Sequence, residues 1–97
     1  MNINASQIRK LKALSHHLKP SVNIGKDGLS VGVIQSISEI LETHELIKIK
    51  FHKNKDSKEQ ASKDIVSSTK SVKVSIIGNT LIIYKKSSNP KYRHIKL

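Results

Sequence analysis

Residues 21–34 read Ser21-Val22-Asn23-Ile24-Gly25-Lys26-Asp27-Gly28-Leu29-Ser30-Val31-Gly32-Val33-Ile34. Ser21–Ile24 has the look of a short strand. Ser30 is a good helix N-cap, and behind it Val33, Ile34, Ile37, Ile40 and Leu41 recur at helical spacing, which predicts a helix over about Val31–His44. Gln35, Glu39 and Glu42 fall on its opposite face. Between strand and helix stands a Gly-x-x-Gly loop, Gly25-Lys26-Asp27-Gly28. Glycines admit left-handed backbone and let another chain come close. The helix start beyond them offers unpaired N–H groups and the positive end of the dipole. Lys26 adds a full charge, so the unit makes a cradle for a phosphate; KH-type modules clamp a nucleic-acid backbone with a loop of this kind. Alone the motif is weak. Two glycines three apart also make an ordinary tight turn, and Asp27 is a good turn residue and a poor neighbour for phosphate.

Upstream, Ile8, Leu11, Leu14 and Leu18 form an apolar stripe that predicts a helix over about Ser6–Leu18. Arg9, Lys12, His16 and Lys19 fall together on a different face, and Pro20 ends the helix. Downstream, Leu46–His52 alternates like a strand, with Ile47, Ile49 and Phe51 on one face and Lys48, Lys50 and His52 on the other. Lys53-Asn54-Lys55-Asp56 is a polar loop. Ser57-Lys58-Glu59-Gln60 matches a capping box and opens a third, more polar helix to about Thr69, its apolar stripe thin at Ala61, Ile65 and Val66. Val72–Ile77 and Thr80–Lys85 are β-rich runs joined by Gly78-Asn79, a two-residue hairpin signal. Residues 87–97 read as a basic tail ordered by a partner.

The order α-β-α-β-α-β-β predicts an α/β domain over residues 1–86. Two right-handed crossovers running in one direction put both connecting helices on one side of the sheet, and the hairpin adds an antiparallel strand. The result is a two-layer sandwich on a mixed four-stranded sheet, one face only partly covered. Strand order stays open. At 97 residues such a fold buries roughly 60–65% of its unfolded surface, enough for one core.

Charge decides how the loop is read. The chain carries 18 Lys and Arg against 7 acids, a formal +11. Every acid (Asp27, Glu39, Glu42, Glu45, Asp56, Glu59, Asp64) lies between positions 27 and 64, so both ends of the chain are purely basic. Segregated charge makes a directional field, and a polyanion is its natural partner.

With the loop, flanks and element order in hand, the sequence resembles the CRM domain (chloroplast RNA splicing and ribosome maturation) family. The resemblance is carried by Ala13-Leu14-Ser15-His16-His17-Leu18-Lys19-Pro20, Val22–Leu29, Glu45-Leu46-Ile47-Lys48-Ile49-Lys50 and Ile77-Gly78-Asn79-Thr80-Leu81-Ile82-Ile83-Tyr84. It spans about residues 6–86 and is similar to the bacterial stand-alone YhbY type. It implies a fold like the C-terminal domain of a bacterial translation initiation factor. It also implies RNA binding and association with precursors of the large ribosomal subunit.

Gly25, Lys26, Asp27 and Gly28, with Arg9, Lys12, His16, Lys19, Lys48 and Lys50, are therefore the expected RNA contacts. Arg9, Lys12, His16 and Lys19 could be merely a solvated helix face, but the run ends just before the loop, which favours contact; the sheet lysines could also be a guard against edge pairing. Aromatics are only Phe51, Tyr84 and Tyr92. Phe51 belongs to the core by its alternation, Tyr84 could be core or surface, and Tyr92 lies in the tail where it could stack, so phosphate and shape recognition of structured RNA outweighs base stacking. No nucleophile–base–acid set appears, which argues against an enzyme. With no Cys, no i, i+4 His pair and His44 within an apolar stripe, no metal or cofactor is expected. The absence of Cys suits a reducing compartment, the N-terminus has no apolar signal region, and no apolar run approaches a membrane span, so a cytoplasmic monomer is expected. Two other readings stay open: a nonspecific DNA-binding module, and an adaptor for an acidic protein.

Overall fold

The computed structural model describes residues 2–52 and 57–97; the polar loop read at Lys53–Asp56 lies outside the described residues. Seven main elements follow in the expected order: α1 (Ala5–Ser15), β1 (Pro20–Ile24), α2 (Val31–His44), β2 (Leu46–Phe51), α3 (Lys58–Thr69), β3 (Val72–Ile77) and β4 (Thr80–Tyr84). The sheet runs β1-β2-β4-β3. β1 and β2 are parallel, and β4 lies antiparallel between β2 and β3. β2 and β3 therefore run the same way, and α3 carries the chain across the place that β4 fills.

Partners in the register share a face, so the sheet's two sides can be read directly. One side carries Val22 and Ile24 from β1, Ile47, Ile49 and Phe51 from β2, and Leu81 and Ile83 from β4. These pack under α2 and α3 with Ile37, Leu41, Ala61 and Ile65 as the main core. The other side carries Leu46, Ile82, Tyr84 and Val74, covered at one end by Leu11 of α1 with Ile3, Ile8 and Ile95. The rest of that side is open. The two-layer α/β sandwich with a partly covered face is thus what forms, with α1 as the partial cover.

The helix ends are capped by local side chains. Asn4 and Gln7 form a reciprocal capping box at α1, Ser30 accepts from the Val33 N–H at 3.1 Å, and Ser57 accepts from that of Gln60 at 3.1 Å. Gln60 turns its amide to Asp64 at 3.0 Å. The polar helix α3 buries Ser62 and Thr69 beside Ala61 and Ile65. Their hydroxyls donate back to the Lys58 and Ile65 carbonyls at 2.6 and 2.7 Å, which satisfies them inside the helix itself. Gly78 closes the hairpin at φ +59, a left-handed position that suits glycine.

Three details differ from the sequence reading. α1 stops at Ser15, and its buried residues are Leu11 and Ser15, while Leu14 and Leu18 are 44% and 37% exposed. The helix is short and meets only one end of the sheet, so half of the apolar stripe overhangs. His44 is exposed, its Nδ1 within 2.8 Å of Thr43 Oγ1, so it lies outside the buried stripe formed by Ile37 and Leu41. Residues 87–97 fold back onto the domain, with a 3-10 turn at Pro90–Tyr92.

That fold-back rests on two carboxylates. Glu45, fully buried, caps α2 at φ +64. Its carboxylate accepts from the N–H groups of Ser87 (2.9 Å), His94 (2.8 Å) and Ile95 (3.4 Å). Glu42 accepts from the Ser88 N–H at 2.7 Å, the Asn89 N–H at 3.2 Å and the Ser87 hydroxyl at 3.0 Å. Among the described residues no helix is long and apolar enough to cross a membrane.

Candidate nucleic-acid interface

The Gly25–Gly28 loop connects the last residue of β1 to the cap of α2. Its backbone closes by the Gly28 N–H donating to the Gly25 carbonyl at 3.0 Å. Gly28 sits at φ +75, where a side chain would be strained. Gly25 has no such need: its φ is not left-handed, and a Cβ there would meet nothing within 4 Å. The turn alone explains Gly28 and leaves Gly25 unexplained. Lys26 and Asp27 are exposed at the tip.

The first turn of α2 holds no acid, so no carboxylate within the helix start itself offsets the positive end of its dipole. Ser30 takes the Val33 N–H, and the N–H groups of Val31 and Gly32 have no acceptor within the helix. Val31 is 85% exposed, so this end of the helix is open.

The sheet register sorts the remaining sequence-predicted residues. Lys50 pairs with Asn23 and Thr80, and Lys48 with Pro20 and Ile82, so both lysines stand on the open half of the face that α1 covers elsewhere. With Pro20, Ile77, Thr80 and Ile82 they line a shallow cleft of about 230 Å³. Lys50 is exposed near the loop end of the sheet. Lys48 is half-buried, and its ammonium donates to the Leu18 carbonyl at 3.0 Å, tying β2 to the α1–β1 connection. Arg9, Lys12, His16 and Lys19 are exposed. They do not gather at the loop: Lys19 precedes β1 and the loop follows it, so five strand residues, about 16 Å, lie between. The structure thus gives one group at the loop, with Lys50, and a second along α1.

His52 also belongs to the loop end. Its N–H donates to the Ile24 carbonyl at 2.8 Å, and its Nε2 lies 2.8 Å from Asn23 Oδ1. Its place in the Leu46–His52 alternation was the available signal. Phe51 is buried, as its alternation suggests; Tyr84, for which the sequence left core and surface both open, is buried as well, while Tyr92 is half-buried beneath the Lys91 ammonium, 5.8 Å from its ring centre. No group of three or more His, Cys, Asp or Glu able to hold a metal occurs among the described residues.

Two groups away from the loop have shifted titration. Hydrogen bonds from the Ser88 and Ser87 hydroxyls hold the Glu42 carboxyl below its usual range; burial opposes them, and the Ser88 and Asn89 N–H groups add smaller contributions in the lowering direction. Burial first, and the Glu45 charge second, push the Tyr84 phenol up, with Arg93 opposing.

The model of the CRS1 / YhbY (CRM) domain family matches residues 3–85. The chain belongs to the CRM family. Among its relatives, a Bacillus subtilis protein named "Probable RNA-binding protein YqeI" is 36% identical over 90 residues, covering 92% of this chain and 94% of its own. An RNA-binding protein of Haemophilus influenzae is 38% identical, again over 90 residues, at 92% and 91% coverage. These CRM relatives are named as RNA-binding proteins, not as enzymes. The solution structure of a hypothetical protein from Staphylococcus aureus superimposes with a TM-score of 0.79 at 31% identity, over 98% of this chain and all of that one. The fold seen there is the one built here from α1 to β4.

Proposed function

We propose that this CRM domain binds structured RNA through its phosphate backbone, gripping it at the Gly25–Gly28 loop and along the open, lysine-bearing face of the sheet. Ribosomal RNA is the expected target, and assistance in large-subunit assembly in the cytoplasm the expected role. The single observation that carries the reading is Gly25. Its backbone conformation and its surroundings would accept a side chain, so the fold does not itself demand a glycine there, and a bare glycine at an exposed loop leaves room for another chain to approach closely. The open α2 start, Lys26 and Lys50 supply donors and charge beside it. The names of the CRM relatives support RNA as that chain. With Phe51 and Tyr84 buried, base stacking is a minor contribution and phosphate contacts dominate.

Crosslinking in cells, followed by sequencing of the attached RNA, tests target and role together. Clusters on large-subunit ribosomal RNA are expected, and scattered messenger fragments would overturn the assembly role. In vitro, affinity for a folded RNA should fall steeply with salt, since each neutralised phosphate releases counterions. A preference for duplex DNA in direct competition would replace this reading by nonspecific DNA binding.

A further inference from the structure

We infer that residues 86–96 are a second RNA-contact surface, an ordered cationic strap at the opposite end of the domain from the glycine loop, so that the protein holds RNA backbone at two separated places. The inference rests on the RNA-binding reading above and extends it to a segment that the loop does not touch.

The placement comes from α2. The loop adjoins its first residue, while Glu42 and Glu45, which hold the strap, stand at its last turn. At 1.5 Å per residue, Glu42 stands roughly 17 Å and Glu45 roughly 21 Å along the helix from Val31. From Glu42 the strap passes round the end of the sheet: Pro90–Tyr92 lies against α2, Ile95 packs into the cluster under α1, and the Lys96 carbonyl accepts from the Lys10 ammonium.

The chemistry of the anchoring is the second argument. Glu45 accepts three backbone N–H groups of the strap and Glu42 two more. Both carboxylates take hold of main chain, Glu42 with the Ser87 and Ser88 hydroxyls as well, and the side chains of Lys86, Lys91, Arg93 and Lys96 are left exposed. Arg93 is oriented as well, since its Nε donates to the Ser87 carbonyl at 2.9 Å. A tail that served only solubility would need no anchor, and ordering its backbone costs about 1–2 kcal/mol per residue. Holding cations at fixed points is instead what lowers the entropic cost of meeting a phosphate chain. The segment after Asp64 contains no acid, so every charged side chain of the strap itself is positive, four exposed cations set against the two carboxylates that anchor it.

The test measures binding of a folded hairpin RNA by fluorescence anisotropy across a salt series, using the full chain. Changing Lys86, Lys91 and Lys96 together to Gln touches exposed side chains and should leave the melting temperature in place. If the strap meets phosphates, the slope of log affinity against log salt should fall by about 2 or more, and low-salt affinity by roughly tenfold or more. A second variant, Glu45→Gln, keeps every lysine and raises the net charge by one while weakening the anchor. Charge counting predicts tighter binding for it; the ordered strap predicts weaker binding. An unchanged slope in the lysine variant, or binding by a folded Glu45→Gln protein equal to or tighter than wild type, would overturn the inference. The broader reading fails separately: wild-type protein with no salt-dependent affinity for the hairpin would remove it, whereas Gly25→Ala losing affinity while the lysine variant keeps it would remove the strap alone.

Discussion

Exchanging the two loop glycines for alanine, one at a time, separates folding from binding at a single turn. At Gly28, with φ +75, alanine must enter the left-handed region at a cost of about 1–2 kcal/mol. Part of this is offset by a stiffer unfolded chain. In a domain of this size each kcal/mol moves the melting temperature by roughly 4–8 °C, so Gly28→Ala should melt several degrees lower. At Gly25 no left-handed angle is required and a methyl group meets nothing within 4 Å. Alanine there keeps the gain of about 0.4–1 kcal/mol from the unfolded state, so the melting temperature should hold or rise. Binding should follow the opposite order. The new methyl occupies the space that a phosphate backbone would enter, and losing one charge-assisted hydrogen bond is worth about 1.5–3 kcal/mol. At about 1.4 kcal/mol per decade this is roughly ten- to a hundredfold in affinity. Thermal melts and anisotropy titrations on the same two preparations check both. A Gly25→Ala protein that melts and binds like wild type would refute the argument that this glycine serves a ligand.

Three further outcomes follow from packing and titration. Leu11→Ala should cost about 2–5 kcal/mol because the side chain is fully buried, while Leu14→Ala, 44% exposed, should stay within about 0.5 kcal/mol; denaturant titration of both checks the direction in which α1 faces. Glu45→Ala should cost roughly 2 kcal/mol, and hydrogen exchange should show the Ser87, His94 and Ile95 amides losing protection before the strands do. Because the Tyr84 phenol is raised from its ordinary value of 10.0, the fold holds the proton that the unfolded chain releases, and stability should be intact below about pH 10 and decline above it. Melts between pH 9 and 11 (roughly the tyrosine range) should show a shallower decline in Tyr84→Phe than in wild type.

The elements were legible in the sequence because each carries its own local signal. Ser30 and Ser57 cap where a cap was read, β3 begins and ends where the β-branched run does, and Phe51 is core as its alternation requires. The misread features depend on what lies across the fold. Leu14 and Leu18 have the spacing of buried residues, yet an 11-residue helix resting on one end of a sheet has surface under only part of its stripe. Glu45 gave no sign of burial, since its partners are main-chain N–H groups 42 to 50 positions away, and main chain has no sequence pattern. The same blindness made residues 87–97 read as a free tail. At the loop, the sequence presents two equivalent glycines; only the backbone angles separate the one that the turn demands from the one that it does not.

The place of β4 also bears on how the chain is made. The strand at the centre of the β2–β4–β3 array is the last of the four to leave the ribosome. Until it emerges, β1 and β2 can pair but β3 has no neighbour, and the apolar undersides of α2 and α3 lack Leu81 and Ile83. At a synthesis rate of about 5–20 residues per second, more than half of the domain waits seconds for the strand that completes it. A nascent CRM chain is therefore most exposed to aggregation and proteolysis just before its hairpin closes, and a pause in translation near Gly78 would lengthen that interval.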